Sequence, residues 1–110
     1  MTPEKYKLVW FVPGDALGVT RDAVFAAGAG RIGDYERCSW YASGVGTFRG
    51  SEGTDPAVGE PGREEQVEEL RVETVVPAEH AQAVVDALLA AHPYEEVAFD
   101  LYPLATLEPK

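Results

Sequence analysis

The chain is short of the residues that staple, metallate or charge-neutralise a small protein. A single cysteine, Cys38, excludes an internal disulfide and every paired-cysteine metal spacing, which predicts a reducing compartment and a core that forms without cross-links. Basic residues are scarce: 9 Lys and Arg against 19 Asp and Glu leave a net charge of -10. Such a surface repels phosphate backbones and anionic headgroups, so neither nucleic acid nor a membrane is an expected partner. Long apolar runs are missing too. The stretch from Leu8 to Val12 is short, stops at Pro13-Gly14-Asp15 and lacks a small-residue cleavage site, so it reads as neither a signal peptide nor a membrane span. A cytoplasmic location is the expectation. No nucleophile is visibly paired with His92, so no catalytic residue is assigned and the reading leans away from an enzyme without deciding it.

What is present is an ordinary globular composition, 45% hydrophobic and 25% charged over 110 residues, which predicts one domain spanning residues 1–110 with a single core. Tyr6 to Val12 is rich in β-branched and aromatic residues and reads as a buried strand. From Asp15 to about Ala29, Ala16, Thr20, Ala23, Val24 and Ala27 recur at helical spacing, and Gly28 and Gly30 supply a left-handed stop. Arg37 to Ala42 reads as a second strand that Val45 to Arg49 prolongs past a glycine bend at Gly44 or Gly46. Residues 50–63, rich in Gly, Pro, Asp and Ser, form a flexible loop.

Glu64 to Val76 places Leu70, Val72, Thr74 and Val76 at period two with Val67 on the opposite parity. This predicts a long strand with a bulge or a change of packing near Glu68-Glu69. Ala81, Val84, Val85, Leu88 and Leu89 then form a helical stripe that Pro93 ends, and Val97 to Leu101 is the last strand. The order is βαββαβ, an α+β ferredoxin-like unit in which right-handed crossovers put both helices on one face of an antiparallel sheet. Strand aromatics such as Trp10, Trp40, Tyr41 and Phe99 must in part face away from the helices. An uncovered aromatic face predicts a homo-oligomer.

Gly28-x-Gly30-x-x-Gly33 matches a dinucleotide fingerprint in letters, but it follows a helix and precedes a strand, the reverse of what pyrophosphate binding needs. It reads as a helix stop and tight turn. Cys38, inside the expected second strand, reads as a small buried hydrophobe, and Glu64, Glu65, Glu68 and Glu69 as a solvated strand edge. His80 and His92 stand about 18 Å apart at opposite ends of the second helix and cannot share a metal within one subunit. The richest cluster is His92-Pro93-Tyr94-Glu95-Glu96-Val97-Ala98-Phe99-Asp100. There an imidazole at a helix end meets a phenol and carboxylates. His92, Tyr94, Glu95 and Glu96 are the candidate ligand-binding residues. His92 and Glu96 carry the donor types that suit a divalent metal ion.

Three runs, Ala27-Gly28-Ala29-Gly30-Arg31-Ile32-Gly33-Asp34-Tyr35-Glu36-Arg37-Cys38-Ser39, Gly44-Val45-Gly46-Thr47-Phe48 and Ala91 through Asp100, resemble the PII/CutA-like domain inserted in proteins of the Nif-three-like family, often labelled homologues of a type two GTP cyclohydrolase. The resemblance implies the PII/CutA fold, commonly trimeric, whose relatives bind small metabolites or divalent ions at subunit clefts. In the full-length family a dinuclear metal centre lies in the segments flanking this insert, so the chain looks like a free-standing insert without that site. The expected role is a non-catalytic binding or regulatory module for a small ligand or divalent cation. The alternatives are a metal-assisted hydrolase and a structural partner of a full-length relative.

Overall fold

A computed structural model describes residues 2–55, 57 and 59–107. Its elements are β1 (Lys5–Val12), a 3-10 turn (Gly14–Ala16) leading into α1 (Leu17–Ala26), β2 (Ser39–Arg49), β3 (Glu64–Pro77), a second 3-10 turn (Ala78–His80) leading into α2 (Ala81–Ala91), and β4 (Phe99–Pro103). The strands form one antiparallel sheet in the order β2-β3-β1-β4. The architecture is therefore the α+β ferredoxin-like arrangement expected from the element order. No helix among the described residues is long and apolar enough to cross a membrane.

Alternation along the strands builds the core. Leu8, Trp10 and Val12 of β1 and Val72 and Val76 of β3 point to the helices and pack with Val24 and Phe25 of α1 and Val84 and Leu88 of α2. These side chains are almost fully buried, and removing such apolar area from water is the main stabilising term. The indole of Trp10 carries one polar atom into this layer. Its Nε1 donates to Thr20 Oγ1 at 3.1 Å, and Thr20 in turn donates to the Ala16 carbonyl at 2.9 Å, so the buried donor is satisfied.

α1 ends earlier than its pattern suggested because Gly28 and Gly30 adopt φ of 120° and 86°. The extended segment that follows is strapped to the sheet: Gly30 donates to the Val75 carbonyl and accepts from the Cys38 amide, both at 2.8 Å. A side chain at Gly30 would meet the Phe25 ring at 2.7 Å, so this glycine is needed for close approach as well as for its φ. The glycine run is a helix stop followed by a turn. Cys38 differs from expectation: β2 starts at Ser39, and the thiol is half-buried just before it. The cause is Arg37, whose left-handed φ of 56° ends any extended run while its guanidinium pairs with Asp22 at 2.8 Å.

β2 contains no bend at its glycines. It pairs residue for residue with β3 from Ser39↔Thr74 to Arg49↔Glu64, so the bulge expected near Glu68-Glu69 is absent as well. The change of packing is real. Burial moves from the even positions Val72, Thr74 and Val76 to the odd positions Glu65, Val67 and Glu69. The reason is topological: β1 pairs with β3 only as far as Val12↔Leu70, so residues 64–69 of β3 pair with β2 alone. They form a two-stranded arm beyond the helix layer, and the molecule is elongated, 53 × 28 × 24 Å. Trp10 and Phe99 belong to the helix side, and Tyr41 lies there at the sheet edge. Trp40 faces the open side, where it is 59% exposed.

Candidate functional site

The His92-to-Asp100 segment leaves α2 and runs past the end of β1. Pro93 imposes the exit: the residue before a proline is pushed out of the helical region, and His92 has φ −80° and ψ 139°. Its imidazole is only 7% exposed and is held at both nitrogens. The Tyr94 amide donates to Nδ1 at 3.1 Å, so Nδ1 is the unprotonated nitrogen, and Nε2 carries the hydrogen that it donates to the Phe11 carbonyl at 2.7 Å. Burial pushes the imidazole pKa below its usual value, and the Phe11 hydrogen bond only partly opposes this. His92 is thus a neutral lock between α2, β1 and the following loop. The Tyr94 ring meets it edge-on with centroids 4.8 Å apart.

Beyond this lock lies a cavity of about 290 Å³, bounded by Tyr94, Glu95 and Glu96 on one side and by the arm on the other. Phe11, Phe48, Val67 and Ala98 give it apolar walls. Phe11, Phe48, Val67 and Glu69 share the sheet face opposite the helices, as their registers require. Glu95 ties the 50–63 loop to the site, since its Oε2 accepts from the Asp55 amide at 3.1 Å, and Thr54 and Ala57 contribute to the rim. Within that loop Gly62 donates to the Gly50 carbonyl at 2.6 Å, and residues 56 and 58 lie outside the described residues.

Among the described residues, the Tyr94 hydroxyl and the Glu69 carboxylate at this cavity lack partners. The Tyr94 hydroxyl is buried and has no hydrogen-bond partner among the described residues. Burial raises its pKa, and the nearby charges of Glu69 and then Asp15 raise it further. Glu69 is half-buried, burial raises its carboxyl pKa, and no Lys or Arg pairs with it among the described residues. Its carboxylate lies over the backbone of Gly46, where a Cβ would collide with Oε1. The glycine at this position gives clearance to an acid on the facing strand.

The structure therefore gathers Tyr94, Glu95 and Glu96 around one space and places His92 behind them as support. Of the two residues expected to hold a metal, His92 has both ring nitrogens engaged in hydrogen bonds within the chain, and Glu96 lines the cavity. No group of three His, Cys, Asp or Glu among the described residues is placed to hold an ion. Glu69, Phe11, Gly46 and Val67 are site residues that the sequence reading did not select. The odd parity shared by Glu65, Val67 and Glu69 was the signal available for them.

No family model matches the chain. It is 49% identical over 104 residues, 94% of its length, to the GTP cyclohydrolase 1 type 2 homolog of Halalkalibacterium halodurans. Among solved structures it is similar to a Bacillus cereus protein related to NIF3, with a TM-score of 0.82 and 43% identity over 96% of the chain. It spans only 28% and 27% of these two proteins. The periplasmic divalent cation tolerance protein CutA of Archaeoglobus fulgidus shares the fold alone: the TM-score is 0.68 at 13% identity, covering 94% of this chain and 87% of that one. The chain is thus a relative of one segment of the NIF3-related GTP cyclohydrolase 1 type 2 homologues, a segment with the CutA fold.

Proposed function

We propose that the chain is a non-catalytic binding or regulatory module that takes a small ligand between the β2–β3 arm and Tyr94–Glu96, and that it works as a homo-oligomer, a trimer, whose copies cover the open aromatic face. The observation that carries this reading is convergence. Three of the four residues singled out by their chemistry, Tyr94, Glu95 and Glu96, line one cavity, and the phenol of Tyr94 is buried without a partner among the described residues. A concave, mainly apolar space with a few polar groups is the usual form of a small-molecule site. Oligomerisation is supported by the open face, where Trp40 and Tyr102 stand 59% and 45% exposed beside Val9 and Phe11.

A divalent cation is the variant of this reading suggested by the name of the CutA neighbour. It would require His92 to release the Phe11 carbonyl, or carboxylates of Glu95 and Glu96 to combine with a second copy. The hydrolase suggested by the name of the longer relatives needs at least three protein ligands and an open coordination position. Calorimetric titration with Zn²⁺, Mn²⁺, Cu²⁺, ATP and GTP, with light scattering at high micromolar concentration, tests the reading. Saturable binding to an oligomer supports it. No heat with any of these together with a monomer mass defeats it, and GTP turnover with added metal replaces it with the hydrolase.

A further inference from the structure

We propose that this cavity is built for a small organic cation, an aromatic or aliphatic body carrying an ammonium or amidinium head that the Glu69 carboxylate receives. The inference rests on the ligand-binding reading above and adds the class of ligand. Its starting point is an imbalance. Glu69, Glu95 and Glu96 border the space, and among the described residues Arg49 is the single cationic side chain that lines it. Arg49 already donates its Nε to the Gly62 carbonyl at 3.1 Å.

Among the acids on its own face of the strand, Glu65, Glu69 and Glu73, Glu69 alone has no counter-ion among the described residues. Arg63 pairs with Glu65 and Arg71 with Glu73, while Glu69, lying between them on the same face, pairs with nothing among the described residues. A half-buried carboxylate is stabilised most by a donor that carries positive charge, because charge-assisted hydrogen bonds are about twice as strong as neutral ones. The arm's cation, Arg49, bonds the Gly62 carbonyl and makes no ion pair with Glu69 among the described residues, and Gly46 leaves the carboxylate room to present itself. The surrounding walls favour the rest of the molecule. Phe11 and Phe48 offer apolar surface for a body; Phe11 already carries the Arg71 guanidinium 5.7 Å from its ring centroid, so of these two rings Phe48 is the one that can attract a ligand cation at its face. An anionic head of the same shape would face three carboxylates and is opposed.

Benzamidine and benzoate, matched in shape and opposite in charge, are the probes. In amide-resolved NMR of the full chain, benzamidine is expected to move the Val67, Glu69, Tyr94 and Ala98 amides saturably, while benzoate at equal concentration leaves them in place. Glu69→Gln is expected to weaken benzamidine by about 10-fold or more without altering the rest of the spectrum. Equal response to benzoate, undiminished affinity in Glu69→Gln, saturable shifts elsewhere only, or no shifts overturns the inference. If GTP or Mn²⁺ moves these amides while benzamidine does not, the ligand class falls and the cavity reading stands. Silence from all of them removes both.

Discussion

Replacing His92 by alanine tests whether this imidazole is a lock. The substitution removes the hydrogen bond to the Phe11 carbonyl and the one from the Tyr94 amide, both of them partly buried. Leaving a buried polar group unsatisfied costs about 1–3 kcal/mol, so two such groups and the lost ring packing predict a destabilisation of about 2–5 kcal/mol. The pH dependence carries the sharper signature. Burial depresses the folded imidazole below its ordinary value of 6.5. The unfolded chain therefore takes up a proton first as pH falls, and stability is lost from about pH 6.5 downward until the folded ring also protonates. Urea unfolding at pH 7.5 and pH 5.5 should show a drop in wild type that His92→Ala lacks. A variant destabilised by less than about 1 kcal/mol, or one that keeps the wild-type loss between the two pH values, would refute the lock.

Four further outcomes follow from the same geometry. Tyr94→Phe removes a hydroxyl that has no partner and should leave stability unchanged or raise it by up to about 1 kcal/mol, read from the urea midpoint; a loss larger than that would mean the oxygen is satisfied. Glu69→Gln should increase stability at pH 7 relative to pH 4, because a carboxyl whose folded pKa is raised disfavours the fold once ionised; a thermal melt showing lower stability at pH 7 would contradict this. Thr20→Val strands the Trp10 Nε1 donor in the core and should cost about 1–3 kcal/mol by chemical denaturation, whereas a neutral result would place another acceptor beside the indole. Trp40→Lys puts a charge on the open face and should convert the proposed oligomer to monomer in light scattering; an unchanged mass would exclude this face from the interface.

Much of the fold was legible because its signals are periodic. β1, the second half of β3 and α2 each carry a clean repeat, and their order alone implies the sheet. The stop after α1 was legible as well, since left-handed φ at Gly28 and Gly30 is a local property of glycine. β2 was harder. Gly44 and Gly46 looked like places where the strand turns, yet the register passes through both, and the missing Cβ of Gly46 serves a carboxylate on the neighbouring strand. That need is set by a residue 23 positions away in the chain, and no local rule reports it. Glu69 was hidden for a related reason. In a run of acids each looks solvated, and only the strand's parity separates Glu65, Val67 and Glu69 from their neighbours. The Tyr94–Glu96 cluster was visible from residue types. His92's supporting role depended on the Phe11 carbonyl, which only the folded backbone brings near.

The arm formed by residues 44–49 and 64–69 has a kinetic consequence. A two-stranded ribbon is marginal by itself, whereas the β1–β3 pairing beneath it is fastened by the core. Amide hydrogens on the arm should therefore exchange through its own small openings, orders of magnitude faster than those of Leu8 to Val12, which wait for global unfolding. Anything that settles against Val67 and Tyr94 spans both regions. Its arrival would be recorded as slowed exchange in the ribbon with little change in the slowest amides.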